Sequence, residues 1–310
     1  MNIVGNEKLN SGHKTLAIGF DMLCGIAHSF PPLAAEILER DAGLTRNFRE
    51  ETITDLLMAS LVGLRPLGIR VDFPDEPFTG GDMDWIFAAP LEFKGGRYLT
   101  VRLQAKRAQR AKRMKGDYWY YKHLDHDSGK QAQALVKPSP GVLPLYILYN
   151  PLPALAPATG ASRAVEGVNL VPAQHIAAVV TKKCGIKDKK VDRWRPRFMP
   201  LSDILCWPVL TVAPSSPSLG GIPKVVVDSA AGPPQMTLGF HPDLVIQRLR
   251  SRSRSAIDVE PLDDIPPALR RAIEGDDTAL DRRQIKKPRI ILTSKLRRNT
   301  PEYNEAEQKG

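Results

Sequence analysis

The chain has 310 residues, 42% hydrophobic and 25% charged, a balance that excludes an intrinsically disordered or collagen-like protein and leaves room for one large core or two smaller ones. The 44 Lys and Arg outweigh 34 Asp and Glu for a formal net charge of +10, which favours an acidic partner such as nucleic acid without separating a binder from a merely basic protein. No apolar run approaches the ~20 residues that cross a bilayer, the N-terminal stretch lacks signal-peptide order, and Cys24, Cys184 and Cys206 are too few and too scattered for a disulfide framework or a CxxC zinc site. Those three features point to a cytoplasmic protein with no membrane partner.

Residues 1–44 read as an N-terminal helical segment, with FDMLCGIAHSFPPLAAEILERDAG broken at Pro31-Pro32 because proline lacks the backbone donor. NFREETITDLLMASLVGL, 47–64, carries the strongest helix signal. Ile53, Leu56, Leu57, Ser60, Leu61 and Leu64 fall on one face, Asn47 is available as cap, and Glu50 and Glu51 sit in the first turn near the positive dipole end. Helical rotation places Glu50 at the edge of the apolar face and Glu51 on the far side.

GIRVDF, DMDWIFAA and GGRYLTVRLQAK then read as three strands, the last two joined by a hairpin through APLEFKGG. RAQRAKRMK has helix-forming composition, DSGKQAQALVK gives another helix, and VLPLYILYN is an apolar strand. GVNLVPAQHIAAVV reads as a strand running into a helix, and MPLSDILCWPVL as a segment that packs on the same core. APSSPSLGGIPK, 213–224, has linker composition. The basic extension that follows, 225–310, holds helices near HPDLVIQRLRSRSRS and IPPALRRAIEG and a strand, PRIILTS. The expected class is α/β, with a mixed central sheet flanked by helices and an α/β C-terminal extension.

Residues two apart on a strand share a face, so Asp82 and Asp84 project together, as do Gln104 and Lys106, opposite Met83, Trp85, Leu103 and Ala105. If the two strands pair, one face carries carboxylates beside an amide oxygen and an ammonium, the equipment of a magnesium site that acts on phosphate. A buried carboxylate cluster repels itself unless a cation is close.

The ordered set of Glu50 on a helix, GGDMDW at a strand start and RLQAKR on the next strand resembles the PD-(D/E)XK phosphodiesterase superfamily, in the variant with Gln before x-Lys. With REETITDLL, GKQAQALV and LPLYILYN, the chain looks similar to an uncharacterised bacterial domain family within it, over residues 45–212. The resemblance implies a restriction-endonuclease-like core and hydrolysis of a nucleic-acid phosphodiester, foremost DNA, with Mg²⁺ or Mn²⁺. It also implies a setting in defence against foreign DNA and a homodimer, the common assembly of such nucleases. Carried over by position, Asp82 or Asp84 is the principal metal ligand, Gln104 the second, Lys106 the catalytic lysine, and Glu50, or failing it Glu51, the helix carboxylate. Gln104 departs from the acidic residue of the usual motif and holds a cation less strongly. The alternative is therefore a catalytically weak or inactive fold that serves as a nucleic-acid-binding module.

From Arg102 to Lys115 the chain has seven basic and no acidic side chains. Arg107, Arg110, Lys112, Arg113 and Lys115 are candidates for phosphate contacts, and the adjoining Tyr118, Trp119, Tyr120 and Tyr121 for base stacking. Gln131 and Gln133 are candidate accessory residues on the next helix, where related nucleases carry a glutamine that faces the site. HLDHD offers His123, Asp125 and His126 to a metal, but a polar loop is the favoured reading of that stretch, and no HExxH, GxxxxGK[ST] or GxSxG motif is present.

Overall fold

The computed structural model describes residues 11–41, 48–64, 69–72, 83–89, 96–111, 118–155, 166–180, 184–206, 241–253, 257–276 and 289–293. In chain order the elements are α1 (Ser11–Asp41), α2 (Glu50–Val62), β1 (Ile69–Asp72), β2 (Met83–Ala88), β3 (Arg97–Arg107), β4 (Gln109–Ala111), β5 (Tyr118–Tyr120), α3 (Lys130–Leu135), β6 (Val142–Tyr149), α4 (Leu152–Leu155) and β7 (Val168–Pro172). They continue with α5 (Ala173–Val179), α6 (Ile186–Lys189), α7 (Val191–Trp194), β8 (Met199–Pro200), α8 (Ser202–Leu205), α9 (Pro242–Ser253), β9 (Leu262–Asp263), α10 (Pro267–Glu274) and β10 (Arg289–Thr293).

The main path of the sheet is β1-β10-β2-β3-β6-β7-β8, with β9 added alongside β3. β2 and β3 pair antiparallel, as the hairpin reading requires, while β10–β2 and β3–β6 are parallel, so the sheet is mixed. This is an α/β fold with helices on both faces. β10 comes from the stretch read as a C-terminal extension, yet it is inserted between β1 and β2. Residues 289–293 are therefore part of the central sheet, and the linker-like residues 213–224 lie outside the described residues.

Alternation along the strands sends two sets of side chains to two faces. On one face Trp85, Phe87, Val101, Leu103, Ala105, Leu145, Ile147 and Leu170 form the main core with α1, α2, α8 and α9. The other face carries two separate clusters. Ile86, Ala88 and Ile291 pack with Leu269 and Ala272 of α10, whereas Tyr146, Leu148 and Val171 pack with Tyr121, Ala132, Ile176 and Trp194. In α2 the buried residues are Ile53, Thr54, Leu57, Met58 and Leu61. Leu56, expected on the apolar face, is 42% exposed, because the inward stripe is centred one position further on, through Thr54 and Met58. Arg49 is the N-cap and makes no side-chain cap bond, while Asn47, the expected cap, lies outside the described residues.

Three local expectations are corrected. α1 does not break at Pro31-Pro32 but runs through both. Two missing N–H donors leave two upstream carbonyls without helical partners, and the helix is held by packing: Leu23, Ala27, Phe30, Ala34 and Leu38 are all buried in the main core. The close approach of Gly167 to this turn adds to that hold, since a Cβ at Gly167 would sit 1.8 Å from the Pro31 carbonyl oxygen.

The described part of RAQRAKRMK, residues 107–111, is extended rather than helical: β3 reaches Arg107, and β4 pairs antiparallel with β5, Arg110 opposite Trp119. The aromatic residues of β5, which favour extended backbone, supply a partner strand that local helix propensity takes no account of. Finally, Cys24 and Cys206 form a disulfide across 182 residues of sequence, with Cα atoms 4.3 Å apart. Spacing along the chain cannot reveal a pair brought together only by the packing of α1 on α8. Among the described residues no helix is long and apolar enough to cross a membrane.

Candidate functional site

The two apolar clusters on the second face of the sheet leave a strip between them, and the strip is polar. Asp84 of β2 and Arg102, Gln104 and Lys106 of β3 alternate with main-core residues and so project into it. Register fixes their neighbours: Asp84 lies opposite Arg102, Gln104 beside Tyr146 and Lys106 beside Leu148. All but Arg102 are nearly inaccessible, with relative exposures of 8% for Asp84, 1% for Gln104 and 5% for Lys106. Burying a carboxylate, a primary amide and an ammonium side by side is costly, and proteins keep such groups where charge or hydrogen bonding is satisfied or put to use.

Asp84 is satisfied by Arg102. The guanidinium donates Nε–H to Oδ1 at 2.9 Å and Nη2–H to Oδ2 at 2.9 Å, a two-pronged pair across the antiparallel strands. The Arg102 side chain is 34% exposed against 11% for Asp84, so the pair lies at the mouth of the strip. Sequence reasoning counted Arg102 only as part of a basic run. The signal that finds it is the strand register, which sets residue 102 directly across from residue 84.

α2 is fastened over the end of this strip. Arg107 Nη1 donates to the Phe48 carbonyl just before the helix. Thr54 Oγ1 donates to the Glu50 carbonyl at 3.0 Å and shares a 2.9 Å hydrogen bond with Tyr149 Oη of β6. These contacts hold Glu50 and Glu51, the first helical residues, at the end of β3 and β6. Arg107 thus helps to anchor α2. Glu51 Oε2 is buried with no hydrogen-bond partner.

His123, in the loop after β5, joins the two parts. Burial lowers its pKa, the Glu50 carboxylate opposes that, and the positive charges of Lys122, Lys106 and His126 add to it. Glu50 and Lys106 thus both lie within electrostatic range of this one imidazole. Asp125 of the same HLDHD stretch is held 2.6 Å from Lys189 Nζ and serves that ion pair.

Of the remaining sequence candidates, Asp82, Lys112, Arg113 and Lys115 lie outside the described residues. Arg110 projects from the β4–β5 hairpin. Tyr118, Trp119 and Tyr120 are half-buried, with Lys190 Nζ 4.7 Å from the Tyr118 ring centre. Tyr121 is fully buried and donates its hydroxyl to Asn150 Oδ1 at 2.7 Å, so it is a core residue and is not available for stacking. Gln133 donates to the Ala177 carbonyl at 2.8 Å, which ties α3 to α5. Gln131 Oε1 is buried without a hydrogen-bond partner.

A model of a family of unknown function (DUF6615) matches residues 23–299. The chain belongs to that family. No curated protein and no solved structure matches it. The family match begins within α1 and ends beyond β10, so it takes in the sheet, the polar strip and both flanking layers of helices.

Proposed function

We propose that this protein of the DUF6615 family is a metal-dependent nuclease that hydrolyses phosphodiester bonds of DNA, with its site on the polar strip of β2 and β3. The observation that carries the reading is the burial of Gln104 and Lys106 on the same face as Asp84; the electrostatic influence of both Glu50 and Lys106 on His123 supports including the helix carboxylate. The order of these residues along the chain is also the one that resembles the PD-(D/E)XK superfamily.

The donor set suits Mg²⁺ or Mn²⁺ in type, since Asp84, Gln104 and Glu50 offer hard oxygens, and Asp82 belongs to the same set by sequence. When bound, such an ion supplies charge neutralisation at a phosphate and a more acidic water. Lys106, buried at the end of β3, orients a water or stabilises charge on the phosphate through its amine. Arg110 and the half-buried aromatics of β5 form a neighbouring hairpin suited to grip the backbone and bases of a strand. Service in defence against foreign DNA and assembly as a homodimer belong to the same reading. Incubation of plasmid DNA with the protein and Mg²⁺ or Mn²⁺ tests it: cleavage is expected, and cleavage that is unchanged by Lys106→Ala rules the site out.

A second reading is favoured by the Arg102–Asp84 pair. With both carboxylate oxygens already engaged and a neutral amide at Gln104, the strip can serve as a structural polar core in a fold that binds nucleic acid without cutting it. Salt-sensitive DNA binding with no cleavage under any divalent cation supports this second reading against the first.

A further inference from the structure

Cys24, His28 and Cys206 form a cluster on the opposite side of the main core from the polar strip. Their ligand-type atoms, two sulfurs and an imidazole nitrogen, all lie within 4.8 Å of one another. Cys24 and His28 are one helical turn apart on α1, so they share a face, and Cys206 closes α8. The two cysteines are partly buried and His28 is exposed, which leaves the sulfurs accessible to a small reagent. The Cα atoms of the two cysteines lie 4.3 Å apart, at the short edge of the range a disulfide spans.

We propose that Cys24 and Cys206 are a reversible thiol–disulfide pair, with His28 as the base that activates the reduced form. Its electron acceptor is a low-molecular-weight disulfide of the glutathione type. His28 takes the proton of one thiol, and that sulfur attacks the small disulfide, whose S–S bond breaks as one small thiolate leaves with the electron pair. The second protein thiol loses its proton and attacks the mixed disulfide. The Cys24–Cys206 bond forms, a second small thiolate leaves, and the two protons end on the two released thiols. A dithiol reverses the sequence. Glu166, whose carboxyl is raised in pKa chiefly by burial, with His28 opposing, lies within electrostatic range of the imidazole.

The other charges nearby are Asp203 on α8 and Arg248 and Arg252 on α9. Arg252 and Arg248 lie 3.4 and 3.8 Å from the Asp203 carboxylate, and Arg248 donates to the Cys206 carbonyl at 2.6 Å. Oxidation therefore couples α1 to α8 and, through Arg248, to α9. Cys184 provides an internal contrast: its thiol is pushed up in pKa by burial and by Asp125, and it has no second sulfur beside it.

The full-length protein, equilibrated across a glutathione redox series, quenched with acid, alkylated and analysed by mass spectrometry, tests the proposal. Cys24 and Cys206 should lose alkylation together and gain a mutual crosslink while Cys184 stays alkylatable. His28→Gln should slow oxidation of the reduced pair by glutathione disulfide near neutral pH about tenfold, with a much smaller change in the equilibrium position. Independent alkylation of the two cysteines across the series overturns the pair, and an unchanged oxidation rate in His28→Gln overturns the role of the histidine. One tightly held zinc per reduced chain, protecting both thiols until a chelator is added, overturns the redox reading in favour of a metal site.

Discussion

Removing Arg102 should weaken the fold and at the same time strengthen divalent-metal binding. The Asp84 and Arg102 side chains meet through two 2.9 Å hydrogen bonds, which puts their charge centres about 4 Å apart, worth about 4 kcal/mol at an effective dielectric constant of ~20. A third of the Arg102 side chain is exposed, so screening and the cost of ordering a long side chain reduce the net coupling to about 2 kcal/mol. Arg102→Met leaves a nearly buried carboxylate without its partner and should destabilise the protein by about 3 kcal/mol. Asp84→Asn should cost about 2 kcal/mol, and the double variant should fall short of the sum by about 2 kcal/mol. Urea denaturation followed by the fluorescence of buried Trp85 reads these values. Isothermal titration with Mn²⁺ reads the second effect: with Asp84 freed, Arg102→Met should bind the ion about tenfold more tightly, a gain of about 1.4 kcal/mol. Mn²⁺ affinity that is unchanged or weaker in this variant refutes the argument that the guanidinium and a cation compete for Asp84.

Further tests address the rest of the molecule. Gly167→Ala forces a methyl group to within 1.8 Å of the Pro31 carbonyl oxygen and should lower stability by about 3 kcal/mol in thermal unfolding, whereas a loss below ~0.5 kcal/mol would show that α1 and β7 part easily. Reduction of the Cys24–Cys206 bridge, which spans 182 residues, should cost up to about 5 kcal/mol by the chain-entropy relation, and a melting temperature unaffected by dithiothreitol contradicts the link. His241, almost wholly buried, accepts a hydrogen bond at Nδ1 from the Asp243 N–H. Its pKa is lowered mainly by burial, with Asp243 opposing and Arg97 assisting, and burial likewise lowers His123 and His175. A histidine with a depressed folded pKa binds fewer protons folded than unfolded, so stability is complete above the unfolded value of ~6.5 and declines as pH falls below it toward the folded value. Melting temperatures measured from pH 7.5 down to 5.5 should fall, and less steeply in His241→Gln; a flat profile for the wild type contradicts this assignment.

The strands and helices that carry a strong periodic pattern were legible from the sequence. Alternation in DMDWIFAA and RYLTVRLQAK placed Trp85 and Leu103 in the core and Asp84, Gln104 and Lys106 on the other face, and the structure puts them there. What sequence could not supply was anything set by long-range register. The partner of Asp84 is Arg102 because of strand pairing, and β10 enters the sheet between β1 and β2 from about 200 residues beyond β2. Local propensity misled at residues 109–111, where pairing with β5 decides the conformation, and at Pro31-Pro32, where tertiary packing outweighs two missing donors. His123 lies in HLDHD, a stretch whose pattern reads as a polar loop, and only the tertiary fold puts its imidazole within electrostatic range of Glu50 and Lys106.

The most direct measurement is anomalous scattering from a crystal of the full-length protein soaked in Mn²⁺. One peak is expected, bonded to oxygens of Asp84 and Gln104 at ~2.2 Å as six-coordinate hard cations require, with the Lys106 amine close by and Arg102 turned away from the carboxylate. A map with no manganese on the strip, and Arg102 still bridging both oxygens of Asp84, contradicts the metal-site reading.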